Sequence, residues 1–436
     1  MNRLVPLVCL VVFACCGTPT KPGPSAGGAA GGMANADGTT AGGAATAGGA
    51  AGAAAAPGAG GSAAGGTASA GGTASAGGTA SAGGTASAGG TASAGGTASA
   101  GGTASAGGTA TGGGAAGGTG LGTEFVVVLV GDGAGTLSGS AAPVFLQRRS
   151  LATGAVISTL PLPIAPSGMN QPLTLSGNAI AEGALTRSVD RRSLALGGYT
   201  STPGTASVAT TTTPRVVALV RAGDFTSMTV DTSTTLGTAF SANSIRSAVN
   251  DGSQIWAAGS SDGVLLTSAG STATPTAVVS APTNVRGLGF FGNNLWLSTG
   301  STNPGVHRVG LMGAGAPTTT TSVYIGANLA TPYGFALFED DPTEPGLDLG
   351  YFADDTAGLI RAFKAGTWQE DDYWSGTVRH LACAEDGRDV VCLATNSTDI
   401  FLVRDVNRFS LGRALTSIAT APANTTFRGV AFMPVP

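Results

Sequence analysis

The chain has 436 residues, a formal charge of −4, 20 Lys and Arg against 24 Asp and Glu, and only two histidines. That balance lacks the basic footprint of a nucleic-acid-binding protein. Two histidines also leave little material for a zinc centre or a histidine-based active site.

Arg3 and the apolar run of residues 4–13 have the form of an export signal, placed at residues 1–15. The run is too short for a permanent membrane span. Val12-Phe13-Ala14-Cys15 resembles the lipobox of bacterial lipoproteins, which implies lipid attachment at Cys15. Phe13 is bulkier than that motif usually carries, Cys16 is an alternative acceptor, and an ordinary cleaved signal is the other reading. Gly17, rather than an aspartate, follows the cysteine pair. The expectation is a lipid-anchored protein of the bacterial cell envelope, at the outer membrane or cell surface.

Residues 16–120 read as a tether. Between Lys21 and Glu124 the only charge is Asp37, and seven copies of Thr-Ala-Ser-Ala-Gly-Gly run from Thr67 to Gly108. A six-residue period suits a β-helix only when large aliphatic side chains fill its interior. Every position here is small or polar, so nothing offsets the entropy of folding, and a disordered linker is expected. As a Gly-rich coil it would span on the order of 55 Å.

Residues 121–436 are expected to form one all-β domain. Short runs rich in Val, Leu, Ile, Thr and aromatics, such as 125–130, 216–220, 295–298 and 400–403, alternate with Gly, Asp, Asn and Pro clusters. A degenerate repeat runs through them. Thr186-Arg187-Ser188-Val189, Ile245-Arg246-Ser247-Ala248-Val249, Val285-Arg286-Gly287-Leu288-Gly289 and Val378-Arg379-His380-Leu381-Ala382 each precede a second apolar strand. Phe427-Arg428-Gly429-Val430-Ala431-Phe432 supplies the first strand once more, and Pro332-Tyr333-Gly334-Phe335 fits the slot without the arginine. The spacing, roughly 40 to 60 residues, is that of propeller blades of four strands. Strands at 125–130, 144–147 and 156–160 are available to complete the last copy, closing a ring of about six blades; length alone favours seven. A two-sheet sandwich array is the alternative.

Several residues are candidates for a site. The once-per-blade Arg187, Arg246, Arg286, Arg379 and Arg428 read either as a cationic ring at one channel mouth or as scaffold bonds between blades. Alternation places Arg286 and Arg428 on the face of the bulky apolar residues. His380, beside Arg379, is positioned to reach the channel. Trp368 and Trp374 would stack on sugars or pack an outer strand. Glu339, Asp340, Asp341 and Glu344 offer oxygen ligands for calcium, without the spacing of a known calcium loop. Cys383 and Cys392 flank a turn-like stretch and would form a disulfide if the register sets them opposite. The glycines of Val130-Gly131-Asp132-Gly133-Ala134-Gly135 are not followed by a helix, so no dinucleotide site is expected.

Asn170-Gln171-Pro172-Leu173-Thr174-Leu175-Ser176-Gly177, Ala181-Glu182-Gly183-Ala184-Leu185 and the later Phe-Arg-Gly-Val-Ala-Phe phrase resemble a family of secreted bacterial β-propeller-like proteins. The resemblance implies a fold and an export route, and no catalytic residues. No catalytic set emerges from the sequence either. The reading is a monomeric, non-enzymatic binding or interaction module for a glycan, peptide or envelope component. The alternative is a propeller hydrolase or lyase acting on an extracellular polymer.

Overall fold

The computed structural model describes residues 121–301, 303–311, 321–323, 329–409 and 414–436, together with two short strands, Ala68–Ser69 and Ala86–Ser87. The chain divides into two units, residues 1–110 and 111–436. In the first, those two strands pair in parallel. The signal sequence, Cys15 and the rest of the tether lie outside the described residues. Among the described residues no helix is long and apolar enough to cross a membrane.

The second unit is all-β. Four antiparallel four-stranded sheets follow one another along the chain. Counted as the second to fifth sheets of this unit, after a first that is described below, they begin with the strands Ile245–Asn250, Val285–Phe291, Pro332–Phe338 and His380–Asp386. The hairpin of the third sheet shows how local sequence sets them up. Phe291 pairs with Asn294, and the two residues between, Gly292 and Asn293, both hold positive φ, 54° and 57°. Two-residue hairpin turns need that conformation, which glycine and asparagine tolerate best.

The remaining strands form a nine-stranded sheet, where the sequence pointed to separate four-stranded units. Thr426–Phe432 pairs with Glu124–Val130, which pairs with Ala141–Ser150, which pairs with Val156–Pro161. Leu185–Arg187, Ser193–Tyr199, Arg215–Arg221 and Asp231–Thr235 make a second set of four. The two sets join because Ala141–Ser150, ten residues long, outruns its partner. Its first residues pair with Thr174–Ser176, and Thr174 in turn pairs with Tyr199.

The apolar core is split into layers, each between two sets of strands. Val126, Val128 and Leu146 meet Leu194, Leu196 and Val216; Val217 and Leu219 meet Ile245 and Ile255; Trp256 and Val264 meet Leu288 and Leu297. Trp296 and Val306 meet Phe335 and Phe352; Tyr351 and Leu359 meet Val390 and Val403; Val391 and Ile400 meet Phe125 and Phe427. Each sheet is therefore covered on both faces, which explains strands such as Glu124–Val130 that are apolar at every position after the first.

The first strands touch one another in succession. Ile245–Asn250 contacts Val285–Phe291, followed in turn by Pro332–Phe338, His380–Asp386 and Thr426–Phe432, and the last contacts Leu185–Arg187, which returns to Ile245–Asn250. Backbones come close enough to bond between sheets: Gly334 N–H donates to the Arg379 carbonyl at 2.9 Å, and Gly429 N–H to the Gly183 carbonyl at 2.9 Å. A Cβ on Gly287, Gly334 or Gly429 would lie 2.8, 2.7 or 2.2 Å from backbone atoms of the next strand. Gly429→Ala is therefore expected to lose about 3 kcal/mol of stability in urea unfolding, the upper range for overpacking. Gly135→Ala, which meets nothing within 4 Å, should unfold as the wild type does.

Candidate functional site

Three of the five repeated arginines, Arg246, Arg286 and Arg428, sit in β-bulges. The register slips between Ile245 and Ser247, between Val285 and Gly287, and between Phe427 and Val430. Because of the slip, Ile245 and Ala248, Val285 and Leu288, and Phe427 and Val430, each pair three apart, enter one core layer. The bulge takes Arg246, Arg286 and Arg428 out of strict alternation and re-aims them. For Arg286 and Arg428, the expectation that they share the face of the bulky residues is corrected accordingly.

Most of these guanidinium groups reach a neighbouring sheet. Arg246 Nη1 donates to Asn284 Oδ1 at 2.5 Å, Arg286 lies over the Tyr333 ring at 4.4 Å, and Arg379 Nη2 pairs with Asp355 Oδ1 at 2.7 Å. Arg428 is 2% exposed and donates to Thr426 Oγ1 and to the carbonyls of Phe427 and Gly177. Burial lowers its pKa to about 10, against the pull of Glu182. Four nitrogens keep no partner among the described residues: Arg246 Nε, Arg286 Nη1, Arg379 Nε and Arg428 Nε. His380 is buried as well, and its Nε2 also has none. Burial, then the charges of Arg428 and Arg379, push its pKa down to about 3, so its imidazole is neutral at pH 7.

Two cavities follow the first strands. A small chamber of about 40 Å³ is walled by Ser247, Arg286, Gly287, Gly334, His380 and Leu381, among others. A wider, open cavity of about 320 Å³ is lined by residues further along the same strands, including Val249, Leu288, Phe290, Phe335, Leu381 and Phe432. Leu185, Thr186, Leu288, Phe335 and Leu381 border both. Each strand thus runs from chamber to mouth in the same direction. Most side chains lining the mouth are apolar, with Thr186, Ser188, Arg187 and Arg191 polar, and its exposed surface is divided about evenly between polar and apolar atoms. Arg187 lies over the Phe432 ring at 5.8 Å, and burial, helped by Arg191, lowers its pKa to about 10. Among the described residues no carboxylate pairs with Arg187, and none lines the mouth.

Arg187 alone of the five arginines lines the mouth; Arg286 and His380 wall the chamber, while Arg246, Arg379 and Arg428 line neither. Trp374 is 4% exposed in the layer between the fourth and fifth sheets, and Trp368 meets Phe352 edge to face. Trp374 is therefore a packing residue, while Trp368 is half-buried. The acids do not converge on a cation. Asp340 pairs with Arg408, Glu344 with Lys364 at 3.0 Å, and Asp341 accepts from Thr343 N–H at 2.9 Å. Among the described residues no cluster of three or more metal-binding side chains occurs. Cys383 and Cys392 lie directly opposite in register and form a disulfide, with Cα atoms 4.1 Å apart. Cys383 borders the mouth.

Two buried polar networks have no counterpart in the sequence reading. Glu182, fully buried, accepts from Tyr199 Oη at 2.5 Å and Ser176 N–H at 3.1 Å. Burial raises its pKa, and burial raises that of Tyr199 too. Arg215, over the Tyr199 ring at 4.9 Å, bonds carbonyls including those of Ala209 and Thr211. In the second network, buried Asp405 accepts from Tyr351 Oη at 2.6 Å and Arg361 Nη1 at 2.7 Å, while Arg361 also grips Asp371. Glu182 follows an alanine and precedes a glycine, and Asp405 ends an apolar strand; neither local pattern signals a partner many residues away.

No protein-family model matches the chain, and no curated protein matches it. Among solved structures, the chain is similar to the extracellular domain of a one-component system from Bacteroides thetaiotaomicron, at 14% identity and a TM-score of 0.30. That likeness covers 52% of this chain and 27% of the other, so the chain spans about a quarter of its length. A Bacteroides fragilis protein named as a 6-phosphogluconolactonase is similar at 14% identity, with 68% of this chain and 82% of the other covered and a TM-score of 0.38. At these scores neither likeness adds to what the strand pairing establishes.

Asp405→Asn is expected to cost about 3–5 kcal/mol, because it leaves the buried Arg361 charge half-compensated. Chemical unfolding of the variant beside wild type measures this; a loss under 1 kcal/mol would remove the network from the account of stability.

Proposed function

We propose that residues 121–436 are a six-bladed β-propeller of the secreted bacterial β-propeller-like type, held to the cell envelope through lipidated Cys15 and a tether at residues 16–120. In this reading Thr426–Phe432 completes a blade with the three N-terminal strands, removing both exposed edges. The layered core and the circular succession of first strands support that closure. The disulfide fits an oxidising compartment.

The module binds rather than catalyses. The observation that carries this is the mouth, a concave surface lined mostly by apolar side chains, with an arginine seated on an aromatic ring and, among the described residues, no carboxylate or histidine in its lining. General acid–base chemistry needs a titratable pair within reach of the substrate. Hydrophobic walls with few polar groups are the ordinary form of a ligand pocket. Arg187 and Arg191 would select an acidic group, and Phe290, Phe335 and Phe432 an apolar body. The ligand class is therefore a small amphipathic acid, such as an envelope component would present.

The probe 8-anilinonaphthalene-1-sulfonate, which has that chemistry, should bind the full-length protein saturably. Arg187→Gln should weaken it at least tenfold, and the uncharged N-phenyl-1-naphthylamine should bind at least tenfold more weakly to wild type. Equal binding of the two dyes, or no effect of the variant, would refute the assignment. For the anchor, radiolabelled palmitate should enter the wild-type protein in bacteria and not Cys15→Ala; label in both would overturn it.

A further inference from the structure

The mouth holds two arginines where one would serve a simple acid. Arg187 is half-buried and Arg191 exposed, both line the same cavity, and among the described residues neither has a carboxylate partner. Arg191 lies near enough for its charge to add to burial in lowering the pKa of Arg187. Like charges brought together repel, so the pair is at its lowest energy with negative charge between them.

The hairpin joining Leu185–Arg187 to Ser193–Tyr199 is tied down at several points. Ser188 Oγ donates to Asp190 Oδ1 at 2.5 Å and accepts from Ser193 N–H at 3.0 Å. Arg191 N–H donates to the Ser188 carbonyl at 2.9 Å, and its own carbonyl accepts from Val435 N–H at 2.8 Å. Within this turn Arg191 takes a φ of 63°, the left-handed conformation that glycine adopts without steric cost. A guanidinium at the mouth is what the position gains by not being glycine. Asp190, beside it, lines a separate cavity with Arg192 and bonds Ser188 and the Arg192 N–H, not the mouth arginines.

One guanidinium already matches one carboxylate, two N–H groups to two oxygens. A carboxylate or a sulfate monoester therefore leaves one cation of the pair uncompensated. A phosphomonoester carries about −1.5 to −2 charges at pH 7 and three terminal oxygens on one centre, enough to accept from both groups. We propose that the acidic group held at the mouth is a phosphomonoester, clasped between Arg187 and Arg191, with its apolar body against Phe290, Phe335 and Phe432. The proposal rests on the binding reading above and names the ligand class of that same site.

Octyl phosphate and octyl sulfate, which share a chain and differ in charge, provide the test by titration calorimetry on the full-length protein. At pH 8 octyl phosphate should bind at least tenfold more tightly than octyl sulfate. That advantage should vanish by pH 5, where the second proton, with a pKa of about 6, is back on the phosphate. Arg187, with a pKa of about 10, keeps its charge across that interval. So does Asp190, whose desolvation is outweighed by the bonds from Ser188 and Arg192 that hold its carboxyl below the usual range. Arg191→Gly, which suits the backbone and removes the second cation, should keep a Tm no lower than wild type and bind octyl phosphate at least tenfold more weakly. Inorganic phosphate, lacking the apolar body, should also bind at least tenfold more weakly than octyl phosphate. Equal affinities for octyl phosphate and octyl sulfate at pH 8 would overturn the proposal. So would tighter binding of octylmalonate, whose two charges sit on two carboxylates. If 8-anilinonaphthalene-1-sulfonate fails to bind as well, the binding reading falls too; if it binds through Arg187, only the phosphomonoester is lost.

Discussion

The close approach of neighbouring first strands governs the rest of this structure. Gly429 and Gly334 lie so near the adjacent backbone that no side chain fits, and their N–H groups bond across the gap. Such contact demands two things of the sequence at once: a residue without a Cβ, and a bulge that turns its neighbour's side chain away from the crowded seam. The recurring Arg-Gly pair at Arg286-Gly287 and Arg428-Gly429 meets both demands. The arginine is the residue re-aimed by the bulge, and the glycine is the residue that permits the approach.

That arrangement has an electrostatic consequence. The repeated arginines of successive sheets, three of them re-aimed by bulges, must be satisfied away from bulk water. Three solutions coexist: a carboxylate for Arg379, backbone carbonyls for Arg428, and an aromatic ring for Arg286. Burial, and after it the neighbouring cations, lowers the pKa of both Arg428 and His380. Scaffold and site are thus the same residues seen at different depths. The arginines near the bulges reach across to neighbouring sheets, while Arg187 lines the mouth.

Buried ion networks complete the frame. Asp405 and Arg361 join the fourth and fifth sheets through Tyr351 and Asp371. Glu182 performs a similar task beside Tyr199, where the nine-stranded sheet is bridged. Such groups add less to stability than apolar packing of equal volume would. Their geometry, however, admits few alternative registers, which matters where apolar strands could otherwise slide.

The all-β class, the blade-length repeat and the strands themselves were legible in the sequence, because alternation, turn residues and the Arg-Gly phrase are local patterns. The pairing of Thr426–Phe432 with Glu124–Val130 was legible as well, since a repeat without its partner strands points to others elsewhere. The direction of each arginine was not. A bulge inserts one residue into the count, and simple alternation then assigns every side chain before it to the wrong face. Nor was the partner of Asp340, since Arg408 lies 68 residues further along the chain and is brought near by the packing of the sheets. Composition by itself determined that this protein is β-rich, sparse in acid–base residues and preceded by a segment with nothing to bury. Tertiary structure alone decided which arginine faces a cavity and which faces a carbonyl, because that choice depends on the slip of one strand against the next.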